Sequence, residues 1–228
     1  VNGNLQRLSR FKDLPSAARS RLAMVGEEVD RIRRLIDHLS LLTRLKVDPA
    51  LLAFGEHDLR PLLKRWSEAL DDPAIGLDGL DQLQSTACMV GLDPNALLLV
   101  LDLLLDNALR YGDGSHPIQL QLRRLDQQNC VQIAIKNHGT GVPVSESMLK
   151  SWLNPFIRGG LRRDGRQVEG AGLGLALARE LVMAWKGTLA LEQSALMDGS
   201  LTTALLTLPI SQSAGNGGGP VDAQTDRV

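Results

Sequence analysis

Apolar residues recur every three or four positions from Pro15 to about Lys46, and this spacing predicts one long amphipathic helix. Asp13 is placed to cap the helix, with Pro15 in its first turn. The other faces are crowded with charged residues, which favours packing of the apolar seam against partner helices. The segment is therefore expected to be part of a helical hairpin. The seam consists of Leu22, Val25, Val29, Ile32, Ile36 and Leu39.

Beyond Asp48-Pro49 the long period gives way to shorter segments. Asp58 is a plausible cap for a helix that runs to about Leu70, and Gly76 and Gly79 interrupt the pattern that follows it. Asp caps helices well and Pro fits a first turn, so Asp93-Pro94 predicts the start of a strongly apolar helix. The predicted elements up to this helix are a strand over 51–54, a helix over 59–70, a strand over 84–90 and a helix over 95–111.

Two alternating segments, IQLQLRRL and VQIAIKN, predict neighbouring strands with one apolar and one polar face. Residues 138–170 are irregular and rich in glycine, and a loop of this length inside a domain usually acts as a lid or a binding loop. A helix over 173–185 and strands over 188–191 and 201–208 follow. The last segment, 211–228, has too little apolar content to pack and is expected to be disordered.

Composition excludes several classes of function. The chain has 25 Lys and Arg against 26 Asp and Glu, so no global charge draws it to nucleic acid or to an anionic membrane. Cys88 and Cys130 lie far apart without metal-ligand spacing, as expected of reduced thiols. The longest apolar run, 97–105, is too short to span a bilayer. Because the first residue is Val, an upstream membrane or sensor region can have been removed, and this fragment itself is expected to be cytoplasmic.

The segment GAGLGLALARE places three glycines immediately before a helix, at Gly170, Gly172 and Gly174. Without a Cβ, such glycines let backbone N–H groups at a helix N-terminus approach phosphate oxygens. Glycines before a helix are also common in ordinary turns. A Rossmann fingerprint is not favoured, because no parallel strand-helix-strand unit surrounds them, and the Gly-Lys-Ser/Thr of a Walker loop is absent.

Three further segments accompany these glycines in a fixed order: DNALRYG at 106–112, KNHGTGVP at 136–143 and NPFIRG at 154–159. Together the four segments resemble the N, G1, F and G2 boxes of the histidine-kinase branch of the GHKL, or Bergerat-fold, ATPases. The resemblance covers about residues 50–210. It implies an α/β (α+β) two-layer sandwich that binds Mg-ATP, and the helix over 28–46 resembles the second helix of the family's dimerisation domain.

The resemblance also implies roles for single residues. Asn107 would bind Mg²⁺ through its amide oxygen, which suits a hard cation. Arg110 would present a charge to the phosphates, and Tyr111 would lie beside the nucleoside. Residue 137 would meet the adenine amine. The other implied nucleotide-binding residues are Gly139 and Gly141 at the strand end, Phe156 and Arg158 on the lid, and Gly170, Gly172, Leu173 and Gly174 at the far hinge of the lid.

Two positions depart from the family pattern. Asn137 stands where the family commonly has Asp, and its carbonyl can accept the adenine hydrogen bond without the charge that strengthens it. Leu103 stands where the family often has a second Asn, and where the gyrase and chaperone branches have a general-base Glu. Leu cannot activate water, so the resemblance implies a kinase rather than a hydrolase. Asp102, one residue away, is turned round the helix and does not replace the missing group.

The implied reaction transfers the γ-phosphoryl group of ATP to a histidine, for relay to an aspartate of a response regulator. His57, in a segment that resembles a phosphoacceptor motif with one residue deleted, is a weak candidate, because the long partner helix precedes it instead of following it. His38, His116 and His138 are expected to be solvated or packed. No catalytic histidine is therefore expected in the fragment, and the phosphoacceptor would lie on the missing first hairpin helix.

The predicted domains are a partial hairpin over 1–48, the catalytic ATP-binding domain over 49–210 and the tail over 211–228. The partners implied are a response regulator and, in the intact protein, a second copy of the chain; neither nucleic acid nor direct membrane contact is expected. Two alternatives stay open. One is a degenerate nucleotide-binding interaction module, which Asn137 and Leu103 favour. The other is a serine kinase of the anti-sigma type, against which the hairpin-like helix counts.

Overall fold

The computed structural model describes residues 15–48, 54–70, 75–78, 88–159 and 171–211. A long helix comes first, and helices and strands then alternate irregularly. The helices are α1 (Ser16–Val47), α2 (Leu59–Leu70), α3 (Pro94–Tyr111), α4 (Glu146–Trp152) and α5 (Gly174–Ala184). The strands are β1 (Gly55–Asp58), β2 (Ile75–Asp78), β3 (Met89–Leu92), β4 (Ile118–Leu125), β5 (Cys130–Gly139), β6 (Thr188–Leu196) and β7 (Gly199–Pro209), with a 3-10 turn at Asp126–Gln128.

Five strands form one mixed sheet in the order β2-β4-β5-β7-β6. Strand β2 is parallel to β4, and all other neighbours are antiparallel. Strands β1 and β3 form a separate antiparallel pair. Helices α3 and α5 pack against each other, and they pack against β5 and β6 respectively. The result is a two-layer sandwich with helices on one face of the sheet, as the sequence predicts.

The hydrophobic core lies between these layers. Alternate residues of β5, Val131, Ile133 and Ile135, are buried against fully buried leucines of α3 and α5. The opposite face of the sheet is polar, and there Lys136 donates a hydrogen bond to Gln121 at 2.8 Å. The alternation of apolar and polar residues in β4 and β5 therefore predicts correctly which face of the sheet the helices cover.

Helix α1 confirms the predicted long helix, although its start differs from the prediction. Pro15 occupies the N-cap position and makes no side-chain cap, whereas the sequence places it in the first turn; Asp13, the predicted cap, lies outside the described residues. Four of the six seam residues are 47–59% exposed, whereas Leu42 and Leu45, nearer the end of the helix, are buried in the core. Among the described residues, the α1 side chains that pack on the core lie in the second half of the helix, from Leu35 to Leu45.

Strands lie at Gly55–Asp58 and from Met89 onward. The strand predicted over 51–54 and the first part of the strand predicted over 84–90 fall mainly on residues outside the described part of the chain, and Phe54 itself is not in a strand. The antiparallel pairing of β1 with β3, in which Gly55 lies opposite Leu92, determines which residues form these strands. Gly76 lies inside β2 rather than breaking the pattern, because β2 is hydrogen-bonded to β4. Gly79 and the tail beyond Ser211 lie outside the described residues.

The irregular stretch 138–170 contains a short helix, α4, that the sequence analysis missed. Ser145 caps it by accepting a hydrogen bond from the Met148 N–H, and Lys150 pairs with Glu146 at 2.6 Å. Leu149 is the one residue of α4 that is buried. A helix of two turns with one buried residue does not repeat its apolar positions, so the sequence pattern does not reveal it.

The predicted caps of α2 and α3 are formed. The carboxylate of Asp58 accepts from the Arg60 N–H at 3.1 Å, and that of Asp93 accepts from the N–H groups of Asn95 and Ala96. Such caps satisfy N–H groups that a helix start leaves without partners. In the described part of the chain, no helix is long and apolar enough to cross a membrane.

Candidate functional site

A cavity of about 1010 Å³ opens where the end of α3, the end of β5, the start of α5 and the middle of α1 meet. Most of the residues that the sequence analysis selected line it. Those residues are Asn107, Arg110, Tyr111, Asn137, Gly139, Gly141, Gly172, Leu173 and Gly174. A volume of this size is typical of ligand sites.

The last turns of α3 form one wall. Asn107 is half-buried, and Arg110 lies one turn further along the helix. The Arg110 guanidinium Nε donates to the Asp106 carboxylate at 2.6 Å, with both side chains about half exposed. Burial raises the pKa of Tyr111, and the charges of Arg110 and Arg158 partly oppose that rise. This wall therefore presents the amide oxygen of Asn107 and the cation of Arg110. An anionic ligand that binds Arg110 would have to replace Asp106 as its partner.

Asp102 and Leu103 lie on the same helix with separate surroundings. The Trp66 indole N–H donates to the Asp102 carboxylate at 2.8 Å, so that carboxylate is engaged with α2. Leu103 packs against the core, and a Cβ added at Gly174 would lie 3.4 Å from its Cδ2 atom. Leu103 thus supplies an apolar contact to the start of α5 and has no group that could act as a base.

The end of β5 forms the floor. Asn137 is 4% exposed, and its Nδ2 atom is buried and has no hydrogen-bond partner among the described residues. Gly139 and Gly141 follow it along the rim. Since buried amide donors are almost always satisfied, this atom marks a position for a ligand acceptor.

The N-terminus of α5 faces the cavity. Its N-cap is Leu173, which provides no side-chain cap, and Gly172 and Gly174 flank it. Gly172 has a φ of +68°, a conformation that L residues with a side chain rarely adopt. An uncapped helix N-terminus lined by glycine suits an anion, because its N–H groups and the helix dipole both favour negative charge.

The segment before the undescribed residues 160–170 differs from expectation. Phe156 is 65% exposed and does not line the cavity, so the apolar anchor expected there is not formed in this structure. Its φ of +66° turns the chain so that the next residue, Ile157, lines the cavity instead. Arg158 is exposed and outside the cavity lining, although its charge acts on Tyr111. Gly170 lies outside the described residues.

Helix α1 contributes a wall that the sequence analysis missed. Arg34, Leu35 and His38 line the cavity opposite α3. Burial lowers the pKa of His38, an effect that the carboxylates of Asp37 and Asp106 oppose. The sequence placed these residues on a hairpin helix, and no local signal indicated that the helix end packs against α5.

The remaining histidines are not in the cavity lining. His57 lies in β1 opposite Val90, so it is on a strand and not on a phosphoacceptor helix. His116 and His138 stack with ring centroids 4.2 Å apart. His138 directly follows Asn137, and the stack ties the loop after α3 to the end of β5. These two rings therefore belong to the support of the site.

Asp113 completes that support. Its backbone N–H donates to the His138 carbonyl at 2.7 Å, and its carboxylate, 11% exposed, contacts His116 Nδ1 at 2.7 Å. The same carboxylate accepts from the N–H groups of Ser115 and His116. Burial alone would raise the pKa of Asp113, but the hydrogen bonds from His116 and Ser115 outweigh it and hold the pKa well below its usual range.

Replacing Asp113 by Asn is expected to make stability less dependent on acid pH. Because the folded pKa of Asp113 lies below its unfolded value of about 4, the carboxylate stabilises the fold above that pH and loses its contribution as the pH falls. At pH 7 the variant should be less stable by about 1–2 kcal/mol, and the difference should shrink towards pH 3. Urea unfolding of both proteins at the two pH values measures this.

Asp126→Asn is the matched control. Asp126 pairs with Arg124 at 2.8 Å, but its side chain is 81% exposed. Exposed ion pairs contribute little, so its unfolding free energy should stay within about 1 kcal/mol of the original at both pH values. A difference for Asp113→Asn that stays constant or grows as the pH falls would contradict the assignment.

The family of the chain follows from residues 92–212, which match the family model described as histidine kinase-, DNA gyrase B-, and HSP90-like ATPase. The matched residues run from the end of β3 to the end of β7 and contain α3, β5 and α5. The chain belongs to this ATPase family, and its sandwich is the catalytic ATP-binding domain of the sensor histidine kinase type.

Two relatives illustrate the similarity. The chain is 29% identical over 204 residues to the signal transduction histidine-protein kinase AfsQ2 of Streptomyces coelicolor, covering 90% of this chain and 36% of that protein. It is 24% identical over 192 residues to the sensor protein kinase WalK of Staphylococcus haemolyticus, covering 84% of this chain and 31% of that protein. The chain thus spans about a third of the length of these relatives.

Solved structures share the fold. Full-length ShkA, crystallised in complex with AMPPNP, matches with a TM-score of 0.67 at 20% identity, over 91% of this chain and 42% of that one. The Acinetobacter baumannii histidine kinase AdeS matches with a TM-score of 0.56 at 19% identity, over 92% and 93%. Both matches extend over most of the present chain and therefore confirm the predicted fold class.

Proposed function

We propose that this chain is the catalytic region of a sensor histidine kinase, which binds Mg-ATP and supplies the γ-phosphoryl group to a histidine of the dimerisation hairpin. The observation that carries the proposal is the convergence on one cavity of an amide oxygen donor, Asn107, a buried amide, Asn137, and the uncapped N-terminus of α5. These groups suit, respectively, a hard cation, a base edge and a chain of phosphates.

The described residues fit a magnesium ion that takes most of its ligands from the nucleotide. They contain no group of three or more His, Cys, Asp or Glu side chains that could hold a metal. Mg²⁺ commonly uses one or two protein oxygens together with water and substrate phosphates, and Asn107 can supply one such oxygen. When bound, the ion would neutralise phosphate charge.

Other residues of the cavity would position the nucleotide. Arg110 would exchange its contact with Asp106 for one with phosphate, and Tyr111 would lie beside the nucleoside. Gly139 and Gly141 would leave room beneath the base. Gly172, Leu173 and Gly174 would offer N–H groups to the phosphates, with Gly170 at the hinge. Phe156 and Arg158, which are outside the cavity lining, would have to move towards it with the lid.

The phosphoryl acceptor would be a histidine nitrogen outside this fragment. That nitrogen would form the new N–P bond while the bond from the γ-phosphorus to the bridging oxygen breaks and ADP leaves. Leu103 provides no base for water, which favours transfer over hydrolysis. An aspartate of a response regulator would then receive the group, and His57 stays a weak alternative acceptor.

The proposed domains follow from the same function. Residues 1–48 would be the end of the dimerisation hairpin, 49–210 the catalytic domain and 211–228 a disordered tail. The exposed seam of α1, which includes Val25, Ile32 and Ile36, supports a homodimer in the intact protein. Since ATP and response regulators act in the cytoplasm, the catalytic domain would be there, whatever anchors the parent protein.

A degenerate nucleotide-binding module is the second candidate. It is favoured by Leu103, by the neutral Asn137 and by the engagement of Arg110 with Asp106. Binding without phosphotransfer in the full-length protein would support it. A serine kinase of the anti-sigma type is less favoured, because the 32-residue helix α1 resembles part of a dimerisation hairpin.

Calorimetric titration with a non-hydrolysable ATP analogue, with and without Mg²⁺, tests the proposal. The original chain should bind in a magnesium-dependent manner, and Asn107→Ala should weaken that binding by roughly 10- to 100-fold, as loss of a metal-site group usually does. Asn95→Ala is the control, because Asn95 is an exposed residue at the start of the same helix. No binding at about millimolar nucleotide would reject the ATP site and leave the degenerate module.

A further inference from the structure

The base end of the cavity contains an amide donor without a partner. Asn137 is 4% exposed and lines the cavity, and among the described residues no acceptor contacts its buried Nδ2 atom. An amide carries two N–H donors and one carbonyl acceptor, whereas a carboxylate can only accept. This end of the cavity can therefore satisfy a ligand that presents an acceptor as well as one that presents a donor.

Neighbouring groups at this end are also neutral. Thr202 lies opposite Asn137 in the β5-β7 register, and its Oγ1 accepts from Gln193 Nε2 at 2.8 Å. The Gln193 carbonyl in turn accepts from the Val144 N–H at 3.0 Å. Gln193 is thus held at both ends of its amide, and the Thr202 hydroxyl retains its hydrogen for donation.

The carboxylates of the cavity lie elsewhere. Within the described lining they are Asp102 and Asp106, both on α3, and they contact Trp66 and Arg110 respectively. The sheet end is therefore free of a charge that would repel a carbonyl oxygen. Its side-chain hydrogen-bonding groups include the Asn137 amide and the Thr202 hydroxyl, and both can donate as well as accept.

The geometry points to a site that accepts 6-oxopurine nucleotides, those of hypoxanthine or guanine, as well as adenine nucleotides. A 6-aminopurine donates its amine hydrogen to Oδ1 and accepts at N1 from Nδ2. A 6-oxopurine accepts at O6 from Nδ2 and donates N1–H to Oδ1. One amide satisfies either edge by rotating about its terminal bond. The inference rests on the proposed function, since it requires a nucleotide in the cavity.

Titration of the original chain with ATP, inosine triphosphate and GTP, each with Mg²⁺, tests the inference. The dissociation constant for inosine triphosphate should lie within roughly tenfold of that for ATP. In Asn137→Asp the carboxylate faces O6 and has no hydrogen to donate. The dissociation constant for inosine triphosphate divided by that for ATP should therefore increase by roughly 10- to 100-fold. Binding of inosine triphosphate but not GTP would uphold the inference for hypoxanthine and overturn it for guanine, because the two bases differ only in the 2-amino group.

Gln132→Glu is the matched control. Gln132 is on the same strand, but on the face of the sheet away from the helices, where it contacts Thr207 at 3.4 Å. The same amide-to-acid change there should leave the ratio unaltered. A comparable change of the ratio in both variants would show a general effect of charge and overturn the inference.

Two results distinguish this inference from the proposed function. If ATP binds and inosine triphosphate binds more than roughly 100-fold more weakly to the original chain, the nucleotide site stands and the inference fails. If neither nucleotide binds, the proposed function fails and the inference with it. Thermal unfolding of Asn137→Asp confirms that the variant is folded, and if it is not, the titration of the original chain decides alone.

Discussion

Gly172→Ala is expected to reduce nucleotide affinity by roughly 10- to 100-fold, because it displaces the N-terminus of α5. With a φ of +68°, Gly172 has a conformation that costs an alanine about 1–2 kcal/mol. An added Cβ would also lie 2.6 Å from the Ile157 carbonyl oxygen and 3.0 Å from the Phe156 carbonyl carbon. Titration with the magnesium complex of a non-hydrolysable ATP analogue measures the loss.

The backbone around Gly172 leaves little room for relaxation. The Phe156 N–H donates to the Gly172 carbonyl at 2.9 Å, so the chain segments before and after residues 160–170 are joined at this point. The clash is with backbone atoms, which cannot rotate away as a side chain does. Relief therefore requires α5 to shift from the cavity or the Phe156 contact to break.

Gly91→Ala provides the control. Gly91 lies in β3, outside the cavity lining; a Cβ added there meets no atom within 4 Å among those described, and its φ is not positive. Its effect on affinity should be within about 0.5 kcal/mol, as for an unstrained substitution away from the site. Equal affinities for Gly172→Ala and Gly91→Ala would contradict the role assigned to the start of α5.

Leu101→Ala is expected to destabilise the fold by about 2–5 kcal/mol, the usual effect of removing a large buried side chain. Leu101 is 0% exposed and belongs to the core between α3, α5 and the sheet. A loss of this size is a large part of the stability of an ordinary domain. Denaturant unfolding followed by circular dichroism measures the change in free energy.

Leu109→Ala tests whether burial causes the effect. Leu109 is on the same helix but 51% exposed, so the intrinsic helix preference changes equally in both variants. Its unfolding free energy should remain within about 0.5 kcal/mol of the original. Similar losses in the two variants would mean that α3 is not packed as described.

Sequence patterns predicted the sandwich most accurately where strong local signals coincide. The Asp93-Pro94 start of α3 was correct because both the cap and the first turn are determined by adjacent residues. The alternation in β4 and β5 was correct because both strands have one buried and one polar face. Strand β1 at Gly55–Asp58 was not predicted, because this segment has no apolar run of its own and pairing with β3 makes it a strand.

Most of the nucleotide-binding residues predicted from the sequence line the cavity. The boxes that contain Asn107, Asn137 and Gly172 are short segments whose order resembles a known family, and the folded chain brings them together. Two features differ from the sequence prediction: Phe156 is exposed instead of anchoring the lid, and α1 contributes a wall of the cavity. The position of Phe156 depends on its own φ of +66°, and the contribution of α1 depends on long-range packing. Neither property is visible in the local sequence pattern.

The sequence by itself determined the class of domain, the long helix, the capped start of α3 and the segments that carry the chemistry, since these depend on residues a few positions apart. Tertiary structure decided the strand partners, the wall that Arg34 and His38 provide, and the unpartnered Asn137 amide in a neutral setting. These features arise between residues that are distant in the chain. Hydrogen-bond partners and burial are properties of the assembled layers, and no periodicity along the chain encodes them.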